Sequence, residues 1–162
     1  MSSSSAPHFA IHPRPLAAIF WAGLACGVLD ITAAFVTWAL KGVSPVRILQ
    51  SIASGLLGAE AFKGGAPTAV MGAGLHFLIA FTWATVFYLA SRRLAFLTQR
   101  AVVWGLAYGA TVYLFMYWVV QPLSLVRRGP FSLTTHAIAL VTHFLCVGLP
   151  ISLVVRRYSA TS

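Results

Sequence analysis

The sequence predicts an all-α integral membrane protein: a four-transmembrane-helix bundle, readable as two duplicated helical hairpins, with a short amphipathic interfacial helix. Three observations predict it. Of 162 residues, 59% are hydrophobic and only 8% are charged, against roughly 25% charged residues in a soluble domain, and mean hydropathy is +0.87. Apolar runs stand at 16–40, 66–90, 101–120 and 131–155, each reaching the roughly 20 residues that a helix needs to cross hydrocarbon. The runs are continuously apolar, unlike the alternating segments of about ten residues in a membrane barrel, and helices satisfy their own backbone in lipid.

The opening residues 1–15 hold four consecutive serines and three prolines. They have nothing to bury, which predicts a disordered tail with His8 and His12 solvated. Span one is too long for a secretory h-region, carries Asp30 in its middle and lacks a small-residue cleavage site, so it is expected to remain uncleaved. Ser44 and Pro45 then give an N-cap and first-turn pair. Val46, Leu49, Ile52, Ala53, Leu56 and Leu57 follow at helical spacing, with Arg47, Gln50, Ser51 and Ser54 on the other face. This predicts an amphipathic helix over 44–58, in the interface or tucked against the bundle. Gly64-Gly65-Ala66-Pro67 breaks it before span two. Residues 16–157 make one membrane domain, and 158–162 a C-terminal tail.

The formal charge of +9 comes from eleven Lys and Arg, which lie at span ends rather than in a basic stripe. That excludes a nucleic-acid surface and suits lipid headgroups. One face carries Arg14, Arg92, Arg93, Arg100, Arg156 and Arg157; the other carries Lys41, Arg47, Lys63, Arg127, Arg128 and Glu60. The Arg92-Arg93 and Arg156-Arg157 pairs abut span ends, so anionic headgroups and cytoplasmic termini are expected there. Glu60 and Lys63 read as a solvated ion pair. Cys26 and Cys146 fall within spans, which excludes a secreted disulfide framework.

An internal echo organises the spans. Gly23-Leu24-Ala25-Cys26-Gly27 recurs as Gly105-Leu106-Ala107-Tyr108-Gly109, Ser44-Pro45-Val46-Arg47 as Ser124-Leu125-Val126-Arg127, and His76-Phe77-Leu78 as His143-Phe144-Leu145. Hairpins repeated this way share orientation about an axis along the membrane normal. The glycines form two small-xxx-small faces, which are expected to bring spans one and three together.

Asp30 lies ~21 Å along span one, while His76 and His143 lie ~21 Å and ~18 Å from the ends of spans two and four, all measured from the same face. Span three reaches this level near Tyr113, with Tyr117 a turn further out. Asp30 shares its helix face with Gly23, Cys26, Gly27, Ala33, Ala34 and Thr37, and His76 shares its face with Gly65, Ala69, Gly72 and Ala73. Such small-residue faces pack on helices. His136 is expected nearer the outer headgroups.

An aspartate at mid-bilayer costs about 2.5–3.5 kcal/mol on the insertion scale, so it is protonated, paired or hydrated. Pairing with a protonated His76 or His143 would offset part of that cost and offer an exchangeable proton. Three readings stand. The layer moves or senses a proton or small solute; it fixes helix packing in a structural or accessory subunit; or His76 and His143, with Cys26 and Cys146, hold a haem or soft metal. No nucleophile motif accompanies the histidines, so an enzyme is not expected.

In Gly27-Val28-Leu29-Asp30, in Ser-Pro-Val-Arg-Ile-Leu-Gln-Ser-Ile-Ala-Ser-Gly at 44–55 and in Leu75-His76-Phe77, the chain resembles small four-span bacterial inner-membrane proteins of unknown function. The likeness covers most of the four spans. The chain is also loosely similar to the YagU-like family, whose members have been connected with acid resistance. The resemblance implies a multi-pass protein of the bacterial inner membrane with no established enzyme activity, and it assigns no role to Asp30 or the histidines. A four-span bundle leaves little room for a solute path, so a homo-oligomer is expected for any transport role.

Overall fold

The computed structural model describes residues 15–159. Residues 1–14 of the expected N-terminal tail, with His8 and His12, and residues 160–162 lie outside them. Four helices are long and apolar enough to cross a membrane: α1 (Pro15–Ala39), α3 (Gly65–Ser91), α5 (Ala101–Leu123) and α6 (Leu133–Ser159). They are spans one to four of an all-helical bundle. Between α1 and α3 lies α2 (Pro45–Leu57), and a short α4 (Phe96–Gln99) joins α3 to α5. The last helix continues through Tyr158 and Ser159, beyond the boundary expected at residue 157.

Local chemistry sets these limits. The Ser44 side chain accepts from the Arg47 N–H, and Pro45 opens α2, where a missing N–H costs nothing. Gly65 adopts a φ of 61°, a left-handed conformation that glycine takes without strain, and it separates the tight turn Gly58–Lys63 from α3. Two segments widen to π-helix, Met116–Val120 in α5 and His143–Gly148 in α6. Each ends two residues before a proline, Pro122 or Pro150. A helix-interior proline lacks its N–H and crowds the carbonyl four residues back, here Trp118 and Cys146, and the wider turn makes room for it.

α1 packs along α3 and α6, and α5 packs along α6. The glycine faces therefore serve contacts other than the one expected between spans one and three. A methyl group on Gly23 or Gly27 would strike Phe81 or Phe77 of α3, whereas one on Gly105 or Gly109 would strike Gly148, Ser152 or the His143 backbone of α6. Gly148 meets Gly105 and Gly109 backbone against backbone. The physical reason is connectivity: each glycine helix folds back on its own hairpin partner. Within that correction the echo has a structural counterpart, because Gly27 faces Phe77 beside His76 and Gly109 faces His143 and Phe144. The serine echo does not: Ser44 caps a helix, while Ser124 precedes an extended segment whose Leu125 N–H donates to the Gly55 carbonyl at 2.9 Å.

The amphipathic helix is tucked against the bundle, with Ile48 and Ala53 buried and Arg47 exposed. Gln50 and Ser54 are buried, while Val46, Leu56 and Leu57 are exposed. Gln50 donates to the Gly65 carbonyl at 3.1 Å and to Thr68 Oγ1 at 3.4 Å. Gly72 gives the Leu49 carbonyl room to sit on α3, ~10 Å below the start of that helix. The buried side of α2 therefore mixes apolar and polar groups, the polar ones hydrogen-bonded within the protein.

α3 and α5 meet chiefly through aromatic side chains. The Tyr108 hydroxyl donates to the Trp83 carbonyl at 2.7 Å, and Phe87 meets Tyr108 edge to face at 4.9 Å. The tightest packing lies toward the Arg92 end, where Ala18, Ala22, Ala84, Phe87, Ile151 and Val155 are wholly buried. Toward the Lys41 end the bundle is hollow.

Candidate functional site

The hollow half contains a chamber of about 370 Å³ bounded by α1, α2, α3, α5 and α6. Asp30, His76 and His143 all line it, as the shared depth on three helices predicts. Trp38 and Trp83 contribute aromatic surface, and Ser51 and Gln121 contribute polar atoms. A second hollow of about 210 Å³ runs between α1 and α6 from Asp30 and His143 to Lys41. Asp30, Ala34, Trp38 and His143 line both. The mid-membrane carboxylate is thereby connected with the Lys41 face, while the packed end closes the chamber toward Arg92.

Neither histidine pairs with Asp30. Among the described residues the one ion pair joins Lys63 to Glu60 at 2.7 Å, with both side chains exposed, as their spacing predicts. His76 donates from Nε2 to the Gly27 carbonyl of α1 at 2.8 Å. His143 donates from Nδ1 to the Ala139 carbonyl, four residues back on its own helix, also at 2.8 Å. Each ring thus commits one nitrogen to a backbone acceptor and keeps the other for a proton or a ligand. A backbone carbonyl on a small-residue face is the nearest acceptor when helices pack this closely, so it competes with the carboxylate.

Tyr113 and Tyr117 belong to a different cluster. Tyr113 Oη and His136 Nδ1 share a 2.6 Å hydrogen bond, and Tyr117 meets the His136 ring edge-on at 4.7 Å. His136 also stacks on Phe131 at 4.6 Å. The Arg128 guanidinium donates to the Tyr117 carbonyl and lies over its ring, 4.8 Å from the centroid. These contacts lock the Lys41 end of the α5–α6 hairpin. Tyr113 reaches the polar layer only through its ring, edge-on to His143 at 5.4 Å.

Cys26 is buried beside the chamber, Cys146 is half-buried, and both are free thiols. Among the described residues no three His, Cys, Asp or Glu side chains converge as a metal-ligand group. The Gly27 carbonyl occupies His76 Nε2, the nitrogen an axial imidazole ordinarily offers.

Sequence reasoning missed Trp38, Trp83, Ser51 and Gln121. Trp38 was within reach, since it follows Asp30 and Ala34 at helical spacing on one face. Ser51 and Gln121 were not, because their placement depends on how α2 and the π-helical end of α5 dock. No protein-family model, curated protein or solved structure matches the chain.

Proposed function

We propose that this polytopic membrane protein moves or senses a proton or small solute through Asp30, reached from the Lys41 face. The carrying observation is that Asp30 lines both the central chamber and the crevice leading toward Lys41, and that among the described residues no basic side chain pairs with it. A carboxylate at this depth has an energetic reason to take a proton or a cation. The protein is read as non-enzymatic, seated in a bacterial inner membrane. Both termini face the cytoplasm, and the exposed Arg92, Arg93, Arg156 and Arg157 contact anionic headgroups. The chamber then opens away from the cytoplasm.

A packing role has its own observation: His76 and His143 both bond to backbone carbonyls. The two readings separate in proteoliposomes. Asp30→Asn is expected to abolish proton-coupled flux while the purified protein keeps its helicity and monodispersity. Unchanged flux in a folded variant would overturn the transport reading in favour of a structural or accessory subunit.

A further inference from the structure

We infer that the chamber takes an amphipathic organic monocation, which enters sideways from the bilayer between α3 and α5 and places its charge on Asp30. This deepens the reading of Asp30 given above and rests on it. A third hollow of about 460 Å³ lies among α2, α3, α5 and the segment after α5. It shares Ser51, Ile52, Ile79, Met116 and Gln121 with the chamber, so the two adjoin along these residues. Its walls on the membrane helices are apolar at Leu75, Ile79, Met116 and Val120, with Gln121 as the polar residue. It opens where α3 and α5 fail to pack backbone to backbone. An apolar ligand already dissolved in the bilayer meets this opening without crossing water.

The charge balance selects the sign. Asp30 is the acid of the chamber; of the cations near this end Arg127 lines the third hollow, and four others are engaged elsewhere. Lys41 lies over Trp38 at 4.4 Å, Arg47 over Phe62 at 4.2 Å and Arg128 over Tyr117 at 4.8 Å, while Lys63 holds Glu60. An anion would meet an uncompensated carboxylate. A cation gains the carboxylate and the aromatic surface that Trp83 contributes to the chamber. A hard inorganic ion needs several converging oxygens, but the chamber walls are mainly apolar, with Ser51 and Gln121 as the uncharged polar side chains. The volume of about 370 Å³ falls within the range of small-molecule sites.

Proton and cation then compete for one carboxylate. The other titratable groups facing it are Cys26 on its own helix, His76 from α3 and His143 from α6, with Cys146 within electrostatic reach and Lys41 at the far end of the crevice. The sides contributed by α2 and α5 carry none.

The test is equilibrium binding of tetraphenylphosphonium to the full chain in lipid nanodiscs. Saturable binding is expected that weakens as pH falls, drops at least tenfold in Asp30→Asn and survives in Asp30→Glu. Leu75→Trp, which narrows the side hollow at a residue that does not line the chamber, should slow association while leaving Asp30-dependent proton flux intact. Equal binding to wild type and Asp30→Asn, or none to either wild type or Asp30→Glu, would overturn the inference. If Asp30-dependent proton flux persists in that case, the proposed function stands without it; if flux is also independent of Asp30, both fall.

Discussion

His76 ties α3 to α1 by donating from Nε2 to the Gly27 carbonyl at 2.8 Å, less than one helical turn from Asp30. The bond fixes the wall of the chamber rather than the charge state of its carboxylate. Interhelical hydrogen bonds of this kind contribute about 0.6 kcal/mol on average and up to about 1.7 kcal/mol. His76→Ala is therefore expected to lower the melting temperature in detergent by a few degrees. His76→Gln, whose amide N–H can donate to the same carbonyl, should recover most of it. A Gln variant as unstable as the Ala variant would show that the imidazole acts through something other than this bond.

Gly148 holds α6 against α5 with no space for a side chain, since a Cβ there would lie 2.0 Å from the Gly105 carbonyl oxygen. The atoms nearest a Cβ on Gly23 belong to the ring of Phe81, which can turn aside. Overpacking costs typically about 1–3 kcal/mol. Gly148→Ala should reach that range and Gly23→Ala should stay below it, read as thermal unfolding in one detergent. The reverse order would contradict the hairpin packing described above.

Gly72 seats α2 on α3 through the Leu49 carbonyl. In a cysteine-free background a cysteine at Ala53, a wholly buried position, should resist maleimide. Adding Gly72→Val should expose it to labelling. Rapid labelling with Gly72 intact would mean that α2 lies free in the interface.

Tyr113→Phe removes the hydrogen bond to His136 but keeps the ring against His143. A modest loss of stability is expected, about 0.5–1.5 kcal/mol as for a typical net hydrogen bond, with Asp30-dependent flux unchanged. Loss of flux at wild-type stability would return Tyr113 to the polar layer around Asp30.

The four spans were legible in the sequence because run length and backbone chemistry in lipid leave few alternatives. The common depth of Asp30, His76 and His143 was legible too, since the helical rise converts residue number into height. Which helices touch was not. Small-residue faces mark where close packing is permitted without naming the partner, so Gly105 and Gly109 were paired with Gly23 and Gly27 rather than with Gly148. The packing of α2 was partly legible: Ala53 is buried as its apolar face predicts, but Gln50 and Ser54 of the polar face are buried with it. His76 and His143 were matched to Asp30 by charge, and nothing in the sequence signals that a neighbouring carbonyl stands closer.

The most direct test of a one-sided opening to Asp30 is chemical access at Ala34, which lines both the chamber and the crevice. Ala34→Cys, made with Cys26→Ala and Cys146→Ala, would be treated with a membrane-impermeant methanethiosulfonate from each side of oriented vesicles. Ala22→Cys, in the wholly buried end, serves as the protected control. The thiol at position 34 should react from the Lys41 face and not from the Arg92 face; protection from both faces, or reaction from the Arg92 face alone, would contradict the account.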